Sequence, residues 1–189
     1  MMRWLPPDLP ERADVDGLTF RPLTPALLVA DYAAVMRDVP MLRAWSGQDW
    51  PTPAFSIEED LVDLVRHDRE QREGVALTYS VMRGETLLGC IYVRPMPAAL
   101  ATRGIVAEPP LPVSGHVVVR GWGHDCDEAT LISAALEFLR GAPFEFPGLW
   151  WQTNVDCHRQ LAACDALGLT RRMFFAGPTT TWVLAAPVA

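Results

Sequence analysis

Apolar and polar positions alternate along the chain with two periods, and the switches between them mark the elements. Leu18–Leu23 reads as a strand, with Leu18, Phe20 and Pro22 on one face and Thr19, Arg21 and Leu23 on the other. Thr24-Pro25 follows as an N-cap and a first-turn proline, which predicts a helix to about Arg37. Residues 38–55 are turn-rich. Ser56 and Glu59 form a capping box. The helix it opens sets Ile57, Leu61, Leu64 and Val65 on one stripe, then dissolves into a charged tail that Gly74 stops.

Val75–Arg83 and Thr86–Pro95 are strand-like runs joined by Gly84-Glu85, a hairpin signal. After an Ala/Pro-rich loop over 96–112, Val113–Arg120 is the next strand. Asp127 is the N-cap of a helix over 128–140, with Leu131, Ile132, Ala135, Leu136 and Leu139 as its stripe. Leu149–Asn154 is a strand, 156–167 a helix ended by Gly168, and Arg171–Ala176 and Thr179–Leu184 are two closing strands. The order β-α-α-β-β-β-α-β-α-β-β predicts an α/β fold with a mixed sheet. Residues 1–16 carry three prolines and no periodicity, so they read as an irregular N-terminal arm before a single domain over 17–189.

Composition narrows the chemistry. The 189 residues suffice for a core without a metal or disulfide staple, and an apolar fraction of 50% excludes a wholly disordered chain. A net charge of −7 argues against nucleic acid as a partner. All 16 basic residues are Arg, a bias that suggests a GC-rich coding sequence of bacterial type. With no Lys, Schiff-base chemistry and Walker-type phosphoryl transfer are excluded. The N-terminal residues contain no apolar signal core, and no apolar run is long enough to span a membrane, so the expectation is a cytoplasmic protein. Cys90, Cys126, Cys157 and Cys164 form no C-x-x-C pair. His124, Cys126, Cys157 and His158 have spacings that fall short of a zinc site, so no metal is expected.

The element order, the segment LTFRPLTPALLVADYAAVM, the hairpin with its following strand and helix, and the block CHRQLAACDALGLTRR together resemble the GNAT superfamily of acetyl-CoA-dependent N-acetyltransferases. The resemblance covers about Leu18 to Leu184. It implies a mixed, partly splayed central sheet with helices on both faces. It implies an acyl-CoA-dependent N-acyltransferase, with acetyl-CoA as co-substrate and a small-molecule or N-terminal amine as acceptor. It implies a pantetheine paired with the backbone of Val117, Val118, Val119 and Arg120. The pyrophosphate would lie on amides of the next loop, and the last two strands would serve a homodimer. The alternative is a GNAT-fold ligand-binding or regulatory module without transferase activity.

The sequence departs from the family at the phosphate loop. Cys126 and Glu128 stand at the usual small positions, and Asp125, Asp127 and Glu128 are acidic where a pyrophosphate would sit. Either the acids cap the helix, or Gly121 and Gly123 form a shifted loop with the acids turned outward. Cys164 falls at the family's tyrosine position and reads as a proton donor or a buried filler. His116 reads as a general base or a structural histidine. Asn154 hydrogen-bonds a pantetheine or caps the next helix. Trp45, Asp49 and Trp50 could hold a cationic amine by cation–π and ion-pair contacts, or the indoles could plug the helices onto the sheet.

Overall fold

In a computed structural model, which describes residues 4–104 and 115–188, the strands are β1 (Ala13–Val15), β2 (Leu18–Pro22), β3 (Leu77–Arg83), β4 (Thr86–Pro95), β5 (His116–Gly123), β6 (Gly148–Asn154), β7 (Arg171–Ala176) and β8 (Thr181–Ala186). The helices are α1 (Leu28–Arg37), α2 (Val39–Ser46), α3 (Ile57–Arg72), α4 (Met96–Ala101), α5 (Glu128–Arg140) and α6 (His158–Ala166). One sheet runs in the order β1-β2-β3-β4-β5-β6-β8-β7, antiparallel except for the β5–β6 pair. Among the described residues no helix is long and apolar enough to cross a membrane.

Successive residues of β5 face opposite layers. Val117 and Val119 join Trp151 in a core with α5 and α6. Trp122 packs on the other face with Cys90, α1, α2 and α3. The mixed sheet with helices on both faces is therefore present.

Three elements go beyond the sequence reading. β1 pairs with β2 through an Asp16-Gly17 turn with φ of 48° and 75°, the left-handed pair a two-residue hairpin needs. The predicted arm is thus partly strand, and it docks: the Trp4 indole donates to Gly74 O at 2.6 Å and the Tyr79 hydroxyl to Pro10 O at 2.8 Å. α2 lies in the turn-rich segment, with Asp38 accepting from Met41 N at 3.0 Å and a proline in its first turn. α4 occupies the start of the Ala/Pro-rich loop, and a turn over residues 102–104 follows it; residues 105–112 of that loop and Val113 lie outside the described residues.

The largest correction concerns β5, which runs on to Gly123 where a loop was expected after Arg120. Gly121 and Gly123 are strand residues paired with Ile91 and Gly89. Close packing of strand on strand explains the small residues. A Cβ on Gly89 would stand 1.9 Å from Trp122 O, and one on Gly121 would stand 2.9 Å from Ile91 Cγ2.

A buried carboxyl pair ties α1 and α3 to the sheet. Asp31 is 4% exposed and Asp60 1% exposed. Asp31 Oδ1 accepts from the Cys90 thiol at 3.4 Å, and the Asp31 and Asp60 carboxyls act on each other electrostatically. Burial pushes Asp60 up to about 8, with the Asp31 charge adding to it, and burial pushes Asp31 up to about 6. The pair therefore shares one proton at neutral pH, and Asp60 carries it.

Two predictions follow from this packing. Gly89→Ala should lower unfolding stability by about 3 kcal/mol, because backbone must move to admit the methyl. Gly123→Ala should cost under about 1 kcal/mol, since its nearest neighbour would be Leu131 Cδ2 at 3.6 Å; urea midpoints measure both. Asp60 titrates higher folded than unfolded, so its contribution is complete below about pH 4 and is lost as pH rises through about 8. Wild-type stability should decline between those limits. Asp60→Asn, which keeps a donor toward Asp31 and does not titrate, should flatten the decline and exceed wild type by about 1–3 kcal/mol at pH 9.

Candidate functional site

The site begins where two parallel strands part. β5 and β6 pair from His116↔Gly148 to Val119↔Trp151 and no further, although β5 continues to Gly123 and β6 to Asn154. Beyond Trp151, β6 keeps its antiparallel partner β8 through Asn154, while β5 stays with β4 through Gly123. The sheet is thus splayed, as the family resemblance implied. The residues expected to meet pantetheine are displaced, however. Val117, Val118 and Val119 already pair with β4 on one side and β6 on the other, so the open edge of β5 begins only at Arg120.

Side chains of the chain itself satisfy that edge. Gln160 of α6 reaches into the fork, where its Nε2 donates to Gly121 O at 3.0 Å and to Glu128 Oε2 at 3.1 Å. The Trp151 indole donates to Gln160 Oε1 at 3.4 Å. Asn154 is fully buried at the other prong. Its Nδ2 donates to Ala44 O at 2.8 Å and Trp45 O at 3.2 Å, and its Oδ1 accepts from Asp156 N at 2.9 Å. These are carbonyls at the C-terminal end of α2, which need partners outside the helix. Asn154 thus fastens α2 to the splayed end of β6.

On the α1–α3 face, a cavity of about 330 Å³ opens against the fork, lined by Val118 and Arg120 of β5 and Gln152 of β6. Its aromatic walls are Trp45, Trp50 and Tyr92. The expected pairing of these indoles with a carboxylate does not occur. Asp49 is absent from the lining and pairs with Arg43 at 3.1 Å. The cation over the Trp45 ring is the protein's own Arg120, 3.7 Å from the centroid.

The remaining walls come from residues that sequence reasoning passed over: Arg66 and His67 of α3, Arg94 of β4, and Arg103. α3 turns its polar side inward. Leu61, Val62 and Val65 are exposed at 38%, 67% and 47%, whereas Asp60 and Leu64 are buried. The predicted stripe is therefore rotated, and Asp63, Arg66 and His67 form the α3 wall of the cavity. The available signal was the weakness of the α3 apolar stripe, together with the Cys90, Tyr92, Arg94 alternation that ends polar. Burial and the Arg66 and Arg94 charges push His67 down to about 3, so it is neutral at physiological pH.

A second cavity, of about 270 Å³, lies at the start of α5 and is lined by Gly123, His124, Asp125, Cys126 and Glu128, with Arg37 and Arg159. Here one of the three acids, Asp127, caps the helix, and the other two have side-chain partners. Asp127 accepts from Thr130 N at 2.9 Å, Asp125 pairs with Arg37 at 2.5 Å, and Arg83 donates to Asp125 O at 2.7 Å. The His124 amide is taken by Leu88 O at 2.8 Å, and the cavity wall mixes the guanidiniums of Arg37 and Arg159 with the carboxylates of Asp38, Asp125 and Glu128.

The other candidates fall outside both cavities. His116 starts β5, about 13 Å along the strand from Arg120, and its Nδ1 accepts from the Trp150 indole at 3.1 Å. Cys164 is fully buried in the α5–α6 core, and burial pushes its thiol up to about 11. Both take the structural alternative. Among the described residues, no three His, Cys, Asp or Glu side chains are arranged to hold a metal ion.

No family model matches the chain, and no curated protein matches it by sequence. Solved structures match at the level of fold. RimJ of Mycobacterium smegmatis, in complex with CoA-disulfide, is 12% identical with a TM-score of 0.67, covering 92% of this chain and 84% of that one. The ribosomal-protein-S5-alanine acetyltransferase of Vibrio fischeri is 11% identical with a TM-score of 0.63, covering 92% and 94%. AAC(6')-Ib, in complex with paromomycin and acetyl-CoA, is 15% identical with a TM-score of 0.68, covering 91% and 94%. With the parallel pair that splays after Val119 and Trp151, these matches show that the chain has the GNAT acetyltransferase fold.

Proposed function

We propose that the protein is an acyl-CoA-dependent N-acyltransferase that acetylates an amine in the cytoplasm. The observation that carries this reading is the fork itself, with one cavity on the α1–α3 face and a second at the start of α5. The two give an acceptor and a donor separate approaches to one opening in the sheet. Acetyl-CoA, when bound, supplies an activated acyl group. Arg37 and Arg159 are the cations on the wall of the smaller cavity, and Gly121 O is the edge acceptor that a pantetheine amide would share or take from Gln160. The larger cavity would take the acceptor. Of its two groups able to accept a proton, His67 is pushed too low to hold one at neutral pH, which leaves Asp63, held by Arg66 at 2.9 Å.

Of the named neighbours, one is an acetyltransferase of a ribosomal protein and one binds an aminoglycoside, so both protein and small-molecule amines are candidate acceptors. The 330 Å³ cavity favours a small molecule or a single terminal residue. We take residues 17–189 as the catalytic domain. A homodimer would form through β7 and β8, where Phe174 is 62% exposed.

A second reading is a GNAT-fold binding module without transfer. It is favoured by Asp127 holding the first-turn amide of Thr130 and by Gln160 closing the β5 edge. Titration with acetyl-CoA separates the two. A Kd near 10 μM should raise stability by about 2.7 kcal/mol at a hundredfold excess over Kd, and thiol release should follow when an amine panel is added. Absence of a thermal shift with acetyl-CoA overturns the transferase reading. Binding without thiol release across the panel favours the module. Gln160→Ala should change acetyl-CoA affinity at least fivefold while leaving Gly121 O unpaired at a cost of about 1–3 kcal/mol in stability.

A further inference from the structure

The larger cavity is basic in an acidic protein. Four of its lining residues are Arg66, Arg94, Arg103 and Arg120, against one lining carboxylate, Asp63. Two of the four are neutralised. Arg66 pairs with Asp63 at 2.9 Å and Glu70 at 3.7 Å, and Arg94 pairs with Glu70 at 2.6 Å. Arg103 and Arg120 form no salt bridge among the described residues. Their guanidiniums instead share one indole, lying 4.3 Å and 5.5 Å from the Trp182 centroid. Placing two cations on one ring is unfavourable unless an anion joins them.

The hydrogen-bond ledger agrees with the charges. Among the described residues, Arg103 Nε and Trp45 Nε1 are buried and have no hydrogen-bond partner, and Trp45 is 6% exposed. Both residues line the cavity. Buried N–H donors are almost always partnered, so two orphans on one wall point to an acceptor supplied by a ligand. Arg103 lies partly buried beside Arg94, which lowers it to about 10, so it remains charged at neutral pH. Guanidiniums and an indole N–H on one wall form a donor set for an oxyanion, and guanidinium forks suit carboxylate and phosphate alike. Trp45, Trp50 and Tyr92 supply the surface for an apolar or aromatic body.

We propose that this cavity binds an amine that also carries an oxyanion, a carboxylate or a phosphate, held by Arg103, Arg120 and the Trp45 indole. The role of this ligand as acyl acceptor rests on the function proposed above; its binding does not. The inference reverses the expectation of a simple cationic amine drawn from Trp45, Asp49 and Trp50. It also gives the acidic chain a cationic pocket, which steers anions that the rest of the surface repels.

The test uses ligand pairs that differ by the oxyanion alone, titrated by calorimetry without acetyl-CoA. The pairs are L-tryptophan and tryptamine, L-phenylalanine and phenethylamine, and O-phosphoethanolamine and ethanolamine. In at least one pair the oxyanion member should bind tenfold or more tighter than its partner. The first two pairs report a carboxylate, the third a phosphate. Arg103→Gln should abolish that preference, Arg120→Gln should do so independently, and Arg12→Gln, on the exposed pair with Asp14, should leave it intact. Rising salt should weaken the preferred ligand and not its partner. Equal or tighter binding of the amines lacking the oxyanion overturns the proposal, as does failure of every oxyanion member to bind. Because no acyl donor is present, selective binding without later thiol release would remove the transferase reading and leave this one standing.

Discussion

The constraint that organises this molecule is backbone hydrogen bonding at the fork between β5 and β6. Two parallel strands that stop pairing leave polar edges inside the protein, and buried polar edges need partners. The chain meets that need with side chains from three elements. Gln160 serves the β5 edge, and Asn154 joins the β6 end to the carbonyls of α2. Arg120 adds a bond to Trp45 O at 3.3 Å. The position of α2, the depth of the larger cavity and the placement of Trp45 all follow from these few bonds. At the fork, Gln160, Asn154 and Arg120 each donate to a backbone carbonyl.

That network also couples the two cavities. Glu128 starts α5 beside the smaller cavity and accepts from Gln160, which holds Gly121 O; the next residue back, Arg120, lines the larger cavity and lies on Trp45. A ligand that takes Gly121 O must release the Gln160 amide. Glu128, whose carboxyl burial already pushes up, would then lose the bond that opposes the shift. The walls of the two cavities are thus joined through one peptide of β5.

The fold was largely legible because most elements obey their periods. The hairpin at Gly84-Glu85, the capping box at Ser56 and Glu59, and the α5 stripe are local signals with local causes, and all three are present. What sequence reading missed divides by physics. β1 and α2 carried usable signals, Asp16-Gly17 and Asp38-Val39-Pro40, hidden by surrounding prolines. The extension of β5 through Gly121 and Gly123 was not legible, because glycine in a strand and glycine in a phosphate loop are the same letter. Only the approach of Trp122 O to Gly89 distinguishes them. The site was less legible than the fold. Trp45 and Trp50 line the larger cavity, and the other residues of its wall come from α3, β4 and the segment after α4, brought together by tertiary contacts alone.

The absence of lysine gives the cavity its character. A buried lysine beside other cations can shed its proton and persist as a neutral amine, so a cluster of lysines relaxes electrostatically. Guanidinium does not have that outlet. Even with burial and Arg94 acting against it, Arg103 falls only to about 10 and keeps its charge. Stacking on Trp182 and Trp45 attenuates two such charges without cancelling them. Asp31 and Asp60, the nearby carboxyls that might have balanced the wall, are turned away into a pair with Cys90, where one of them holds a proton. A cavity built this way keeps a positive potential at neutral pH, and an anion brought in from outside satisfies it.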